Sequence, residues 1–421
     1  MLKKTILKNG LRVILVPQSA SLAASVLVLV EAGSEYETKE INGLSHFLEH
    51  LMFKGTVNRP KPGMISTELD SLGAEYNAFT SQEYTGYWAK AESHKLPQIL
   101  DLVSDLYLNP VFNPAEIEKE RGVIIEEINM YEDTPMRRVE ELFMNLLYGN
   151  QPAGWDIAGE KDVIRRLARE DFEKYRGTHY VAPKTVVVVS GNFDPEKIMK
   201  DVENLFGHLK KASKVSKLKT IESQDEPRTT VKFKDSDQTH LVMGVRAFDV
   251  FDERRYALQV LAEVLGGGMS SRLFTKVRGE LGAAYYIRAT ADLFLDHGIL
   301  SVSSGVDNAR ADKVIEAILG ELDRLRTEEV GEKELDKAKE HLIGSLVLSL
   351  ETSDEIGAFY GVQEILTGKP KEVEEMIKKV RAVKAAEILA LAKSLLREDK
   401  LNLAIIGPYK DPAPFEKVLS F

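Results

Sequence analysis

A short segment near the start of the sequence carries two histidines and a glutamate at a spacing that suits a metal site. His46 and His50 are four residues apart, and Glu49 directly precedes the second histidine. On a helix, side chains four residues apart project from the same face, so both imidazoles can be directed at one ion. Glu49 can lie beside that ion without binding it, as hydrolysis requires, because a carboxylate must take the proton from water. The pattern alone leaves an exposed polar helix face as the alternative.

A third ligand is predicted in the segment 115–131, which has helical periodicity. A catalytic zinc ion needs a third protein ligand and an open fourth position. Glu120 and Glu127 are seven residues apart and share an apolar helix face, whereas Glu126 is rotated toward solvent. A carboxylate on an apolar face is costly unless it is paired or bound to a cation. We therefore expect Glu127 to be the ligand and Glu120 to support a histidine N–H, with a surface ion pair as the alternative for Glu120.

The helices and strands that must position these residues recur in the two halves of the sequence. The first half opens with strands around the turn Asn9-Gly10, becomes helical near residue 43, and ends in the buried strand 186–191. In the second half, strands near 230–246 and 284–304 alternate with helices. We predict an α+β fold of two similar α/β repeats, each a largely antiparallel sheet with helices packed on it.

A polar stretch separates the two repeats. From about residue 210 to 228 the sequence consists mainly of Lys, Ser, Asp, Glu and Gln, which is typical of a linker. We predict a zinc-binding domain at 1–212, a linker at 213–228 and a homologous domain at 229–421. The helix near 256–265 is apolar where a metal face would be needed, so the second domain is expected to bind no metal.

Composition narrows the class of protein. Hydrophobic residues make up 43%, which excludes a disordered chain, and 56 Lys and Arg against 66 Asp and Glu give a net charge of −10. This acidic balance argues against nucleic-acid binding, and no apolar run is long enough to cross a membrane. The charged start of the sequence does not resemble a secretory signal. There is no cysteine, so thiolate metal sites are excluded and a cytoplasmic location is expected.

Several segments together resemble one known family of zinc metallopeptidases. The pattern H-x-x-E-H is the inverted zinc motif of the inverzincins. The sequence is similar to the short, two-domain members of family M16, the family of pitrilysin and the mitochondrial processing peptidase. The resemblance covers nearly the whole sequence and is carried by the segments 46–50, 53–56, 77–80 and 120–127.

The resemblance implies a role for each residue of the predicted site. It implies one zinc ion per chain with three protein ligands, a general base and a supporting carboxylate. These residues are, in that order, His46, His50 and Glu127, then Glu49, then Glu120. It also implies that two similar halves enclose a cavity.

Two further segments resemble substrate-binding parts of the family. The first resembles its substrate-binding edge strand, to which an extended peptide would add by backbone hydrogen bonds; an ordinary surface strand is the alternative. It consists of Asn77, Ala78, Phe79 and Thr80. In the second, Arg278 and Tyr285 resemble a pair that donates hydrogen bonds to the substrate carbonyl or the oxyanion. A helix-end arginine and a packed tyrosine are the alternative for this pair.

The function expected from this sequence is that of a zinc-dependent endopeptidase that hydrolyses unfolded oligopeptides in a chamber. Peptides are the expected partners, and nucleic acid and membranes are not. A catalytically silent scaffold subunit of the same fold and a presequence-processing subunit are the alternatives. Relatives complete a four-domain clamp with a longer chain or a second chain, so a symmetric homodimer is expected here.

Overall fold

The computed structural model describes residues 2–421 and divides into two compact units. The first unit contains the residues up to Asn129 together with Asp156–Leu218 and Ser349–Lys371. The second contains Met130–Trp155, Lys219–Leu348 and Glu372–Phe421. Each unit therefore includes a segment from the other half of the chain. Within residues 2–421, no helix combines the length and the apolar character that crossing a membrane requires.

The strands are numbered along the chain. They are β1 Lys3–Ile6, β2 Arg12–Pro17, β3 Ala23–Val30, β4 Glu75–Thr80, β5 Thr85–Glu92, β6 Thr185–Gly191, β7 Arg228–Phe233, β8 Gln238–Ala247, β9 Ala284–Leu293, β10 Gly298–Asp307 and β11 Asn402–Gly407.

The α-helices are numbered in the same way. They are α1 Leu44–Met52, α2 Met64–Ser71, α3 Leu96–Leu108, α4 Pro114–Asp133, α5 Pro135–Tyr148, α6 Lys161–Arg166, α7 Arg169–His179, α8 Pro195–Phe206, α9 Arg255–Gly266, α10 Ala311–Thr327, α11 Glu332–Leu348, α12 Ser353–Thr367, α13 Val373–Ala382, α14 Ala385–Leu395 and α15 Ala413–Val418. A π-helical segment, Phe274–Glu280, precedes β9.

Each unit is built on one sheet, and five strands have the same order in both, whereas the first sheet has β1 as an additional edge strand. The strand order is β1-β2-β6-β3-β5-β4 in the first unit and β7-β11-β8-β10-β9 in the second. In each sheet one neighbouring pair is parallel, β2 with β6 and β11 with β7, and the other pairs are antiparallel. The predicted α+β class with a largely antiparallel sheet in each repeat is therefore confirmed.

Helices cover both faces of the central strands in the first unit. The main core lies between one face of the sheet and helices that include α1, α3 and α7. On the other face, Tyr360 and Ile365 of α12 pack against Leu29 and Val188. Strands buried on both faces have continuous rather than alternating apolar sequences, which explains the valine-rich β3 and β6. In the second unit, α5 covers the corresponding face with Val139 and other apolar residues.

Small residues allow α12 to approach the sheet closely. A Cβ atom on Gly361 would lie 2.9 Å from side-chain atoms of both Leu29 and Val188. Those two side chains are 0% and 1% exposed and therefore have little room to move. Glu364 of α12 is also fully buried and forms a 2.7 Å ion pair with Lys4. The helix is thus fixed by close apolar contact and by an ion pair between its buried Glu364 and the exposed Lys4.

The same aromatic–glycine contact occurs at the edge strand of each sheet. In the first unit the ring of Phe79 lies over Gly86 of the neighbouring strand, where a Cβ would be 2.3 Å from the ring. In the second unit the ring of Tyr286 lies over Gly305, with a corresponding distance of 2.5 Å. The repeat therefore extends to individual cross-strand pairs.

The packing of α12 predicts opposite effects of one substitution at two helical glycines. Gly361→Ala should lower the free energy of unfolding by about 1–3 kcal/mol, because the new methyl group has no space. Gly320→Ala lies in α10, where an added Cβ would meet no atom beyond its own helix backbone within 4 Å. This second change should raise the free energy of unfolding by about 0.5–1 kcal/mol through helix propensity. Urea unfolding followed by circular dichroism measures both, and equal effects of the two substitutions would contradict the close contact.

Candidate metal centre

The predicted motif forms α1, and its apolar stripe anchors the helix in the first unit. The stripe residues are at most 1% exposed: Leu44, Phe47, Leu48 and Leu51. Gly43, at φ +95°, precedes the helix, and the chain leaves helical geometry after Phe53. Burying one face of α1 fixes the direction of the other, so His46, Glu49 and His50 are held toward α4 and β4.

On α4, the periodicity places the carboxylates as the sequence predicts. Ile117 and Ile124 are 3% and 0% exposed, and Glu120 on the same side is 6% exposed. Glu127 is partly buried and Glu126 is exposed. The structure thus directs Glu127 and Glu120 toward α1 and turns Glu126 to solvent.

Three side chains from α1 and α4 converge on one point. The Glu127 Oε2 atom is 3.6 Å from His46 Nε2 and 3.5 Å from His50 Nε2. All three ligand atoms lie within 4.8 Å of one another. Zinc bonds of about 2.0–2.1 Å in tetrahedral geometry imply ligand atoms roughly 3.3 Å apart. The spacing and the chemistry of two imidazoles and one carboxylate therefore fit a zinc ion.

Glu120 makes both of the contacts that the sequence predicts as alternatives, a hydrogen bond to a histidine and an ion pair. Its Oε1 atom accepts a 2.9 Å hydrogen bond from His50 Nδ1, and its Oε2 atom forms a 2.6 Å ion pair with Lys54. Burial raises the pKa of this carboxyl, but the hydrogen bonds from His50 and Lys54 outweigh burial and lower it. An ionised Glu120 holds the proton of His50 on Nδ1 and leaves Nε2 free to bind a metal.

Glu49 lies between α1 and the edge strand. Its Oε2 atom accepts a 2.7 Å hydrogen bond from Thr80 Oγ1, at the end of β4. Burial raises the pKa of the Glu49 carboxyl, although this hydrogen bond opposes the shift. A carboxylate with a raised pKa is a stronger base, as proton abstraction from water requires.

Sequence reasoning misses two contacts of the site. It places Thr80 only in a substrate-binding strand, yet the side chain of this residue fixes Glu49. It assigns no role to Lys54, four residues after His50, yet this lysine pairs with Glu120. Lys54 lies two residues beyond the end of α1, and the Thr80 contact joins elements distant in sequence, so helical periodicity reveals neither contact.

The residues predicted to bind substrate lie on edge strands, except Arg278, which lies in the π-helical segment before β9. β4 contains Asn77, Ala78 and Phe79. Within residues 2–421 it pairs only with β5, so its other side is an open edge there. Tyr285, at the start of the edge strand β9 of the second unit, is 76% exposed. Arg278, also in the second unit, lies over the ring of Phe274 at 5.0 Å. The roles of these residues stay predictions.

Comparison with known proteins gives matches over almost the whole chain. Residues 12–161 match the family model described as insulinase (peptidase family M16), and residues 166–342 match the peptidase M16 inactive domain. The chain is 36% identical to the uncharacterized zinc protease YmxG of Bacillus subtilis, over 97% of this chain and 98% of the relative. It is 32% identical to an uncharacterized zinc protease of Streptomyces coelicolor, over 97% and 90%. A crystal structure of a protease from Helicobacter pylori shares the fold, with a TM-score of 0.91, 24% identity and coverage of 97% and 99%.

Two adjacent glutamates on α4 provide a matched test of the metal ligands. Glu127→Gln should abolish stoichiometric zinc binding, because it replaces a charged ligand by a weakly coordinating amide. Glu126→Gln makes the same chemical change on the exposed side of α4 and should leave zinc content unchanged. Metal analysis after dialysis against a weak chelator measures both. Equal zinc loss from the two variants would contradict the assignment of Glu127.

Proposed function

Since this chain belongs to the insulinase family of peptidases, family M16, we propose that it is a zinc-dependent endopeptidase that hydrolyses unfolded oligopeptides. The observation that supports this most is the convergence of His46, His50 and Glu127 beside the carboxylate of Glu49. A silent scaffold would not need these four residues together. The curated relatives described above are named zinc proteases, which supports a metallopeptidase.

The residues of the first unit have distinct tasks in peptide hydrolysis. Zinc, when bound by the three ligands, would polarise the scissile carbonyl and acidify water. Glu49 accepts a proton from water while the oxygen of that water attacks the carbonyl carbon. Glu49 then passes the proton to the amine nitrogen when the C–N bond breaks. Thr80 holds one oxygen of Glu49 during both transfers. Glu120 keeps the imidazole of His50 oriented and its Nδ1 protonated.

The open edge of β4 supports an extended substrate. A peptide that adds to this edge as a further strand forms backbone hydrogen bonds, which requires it to be unfolded. Because Thr80 ends β4 and contacts Glu49, such a peptide would be bound next to the general base. A chamber enclosed by the two halves, as the family resemblance implies, would likewise admit an extended chain and exclude a folded domain.

We extend the proposal to Arg278, Tyr285 and the oligomeric state. Both side chains carry hydrogen-bond donors that suit a substrate carbonyl or an oxyanion. We propose that the active unit is a homodimer in which these residues of one chain serve the zinc centre of the other. A location in the cytoplasm, suggested by the cysteine-free composition, is part of the same proposal.

Replacing the general base tests the enzymatic function directly. Glu49→Gln should retain about one zinc ion per chain, because Glu49 is not a ligand, and should lose at least ~99% of the cleavage of a quenched unstructured peptide. The unaltered protein should cleave that peptide and spare a stable folded domain. Mass spectrometry of the products and metal analysis measure these outcomes. A protein that binds zinc but cleaves no peptide in a diverse library would favour the scaffold alternative.

Mixing two inactive variants tests the shared site. Inactive Glu49→Gln and Arg278→Ala chains are mixed in equal amounts and allowed to exchange subunits. About half of the dimers become mixed, and each mixed dimer has one site with both lesions and one intact site. Roughly a quarter of the original activity should therefore return, as two-fold symmetry requires. If exchange is demonstrated by native mass spectrometry and no activity returns, the two residues act within their own chain or not at all.

A further inference from the structure

The N-terminus of α1 has no cap of its own. The residue at the cap position is Gly43, which has no side chain and a φ of +95°. A Cβ at this position would lie 2.6 Å from the carbonyl oxygen of Ala158 and 2.9 Å from Gly159 Cα. Serine, threonine or aspartate, the usual capping residues, therefore cannot occupy it. The first N–H groups of the helix that carries the metal ligands need an acceptor from elsewhere in the chain.

Glu37 supplies that acceptor from the preceding turn. Its Oε1 atom accepts the backbone N–H of Ser45 at 2.6 Å, and its Oε2 atom accepts that of Gly43 at 2.7 Å. Oε2 also accepts a 3.1 Å hydrogen bond from the side-chain amide of Asn42. The carboxylate thus accepts hydrogen bonds from Gly43, just before α1, and from Ser45, within its first turn. Gly43 follows Glu37 by six residues in the sequence.

A charged group in this place carries a cost that a neutral cap would avoid. Glu37 is 2% exposed, and burial raises the pKa of its carboxyl to about 7 despite its hydrogen bonds to Ser45 and Gly43. The donors that contact it are neutral: the backbone N–H groups of Gly43 and Ser45 and the side chains of Asn42 and Ser45. Among the residues that the structure describes, no cation forms an ion pair with Glu37. A buried carboxylate of this kind is expensive, so its presence calls for a compensating benefit.

The helix dipole provides a reason for the charge. His46 follows Ser45 directly and therefore lies in the first turn of α1. The N-terminus of a helix carries roughly half a positive charge, which disfavours a cation bound within the first turn. A carboxylate hydrogen-bonded to the same N–H groups offsets that charge. It also fixes the backbone from which the His46 side chain projects.

We propose that Glu37 is a positioning residue of the metal centre, which strengthens zinc binding by fixing the first turn of α1 and by neutralising its positive end. The inference rests on the proposed zinc site. It assigns to Glu37 an effect on metal affinity that acts through Ser45 and His46 without contact with the ion.

Zinc affinity separates this role from a merely structural one. Glu37→Gln keeps the shape of the side chain and removes its charge, and it should weaken zinc binding by about 10–100-fold, as other changes behind metal ligands do. Glu37→Asp keeps the charge but shortens the reach, so its affinity should fall between that of Glu37→Gln and the unaltered protein. Glu40→Gln, three residues further along the chain and exposed, is the matched control and should change the affinity less than about twofold. Competition with a chromophoric chelator at about pH 8, where Glu37 is ionised, measures all four proteins.

Each outcome decides between distinct conclusions. The measurements are made where circular dichroism shows that every metal-free variant is folded, so a loss of fold stability alone leaves the zinc affinity unchanged. The visible spectrum of the cobalt-loaded protein, which reports ligand geometry, should also differ between Glu37→Asp and the control. If Glu37→Gln does not fold, Glu37→Asp carries the test, and an affinity equal to the control overturns the proposal. If the unaltered protein binds no zinc, the proposed function fails instead.

Discussion

Glu127 of α4 lies within 3.6 Å of two imidazoles of α1, and this contact joins the two helices. The helices are distant in sequence: His50 and Glu120, which form a hydrogen bond between them, are 70 residues apart. A metal site of this kind works only if the helices are held in register by other contacts, because ligands misplaced by about 1 Å no longer share an ion. Phe47 on the buried face of α1 packs edge-on against Phe172 of α7 at 4.9 Å. Arg121 of α4 lies over the ring of the same Phe47, 5.8 Å from its centroid. The same guanidinium donates to the backbone carbonyls of Ile164 in α6 and of Leu167 directly after it, and the arginine therefore fixes α4 to α1 and to the end of α6.

The second constraint is the concentration of negative charge around the site. Burial raises the pKa of the Glu49 carboxyl, and the nearby charge of Glu127 adds to this shift. Each carboxylate has a different partner that limits this repulsion: Thr80 for Glu49, Lys54 for Glu120 and the two imidazoles for Glu127. These partners divide the three acids into a base, a support and a ligand. The division of roles thus follows from the neighbours of each acid, since the side chains are chemically identical.

Sequence periodicity predicts which side chains share a face of one helix. It does not predict which other part of the chain packs against that face. The apolar stripe of α1 and the inward face of α4 follow from local spacing, so the positions of His46, His50, Glu120 and Glu127 could be predicted. The exchange of α5 and α12 between the units could not, because an amphipathic pattern does not identify the surface that covers it. Nor could the cap provided by Glu37, since the turn that returns it to Ser45 leaves no periodic signal. The missed features are those that three-dimensional packing creates.

The second unit shows which part of this arrangement belongs to the scaffold. In element order α9 corresponds to α1, and its buried stripe has the same spacing, with Val260, Leu261, Val264 and Leu265 in place of Phe47, Leu48, Leu51 and Met52. In this register the positions of His46, Glu49 and His50 are occupied by Gln259, Ala262 and Glu263. Glu263 instead accepts a 2.5 Å hydrogen bond from His341 of α11. The stripe therefore suffices to place a helix against each sheet, and the polar face is free to vary. In the first unit that face carries the candidate metal centre, and in the second it carries the hydrogen-bonded pair of Glu263 and His341, so the same buried stripe accommodates different polar faces.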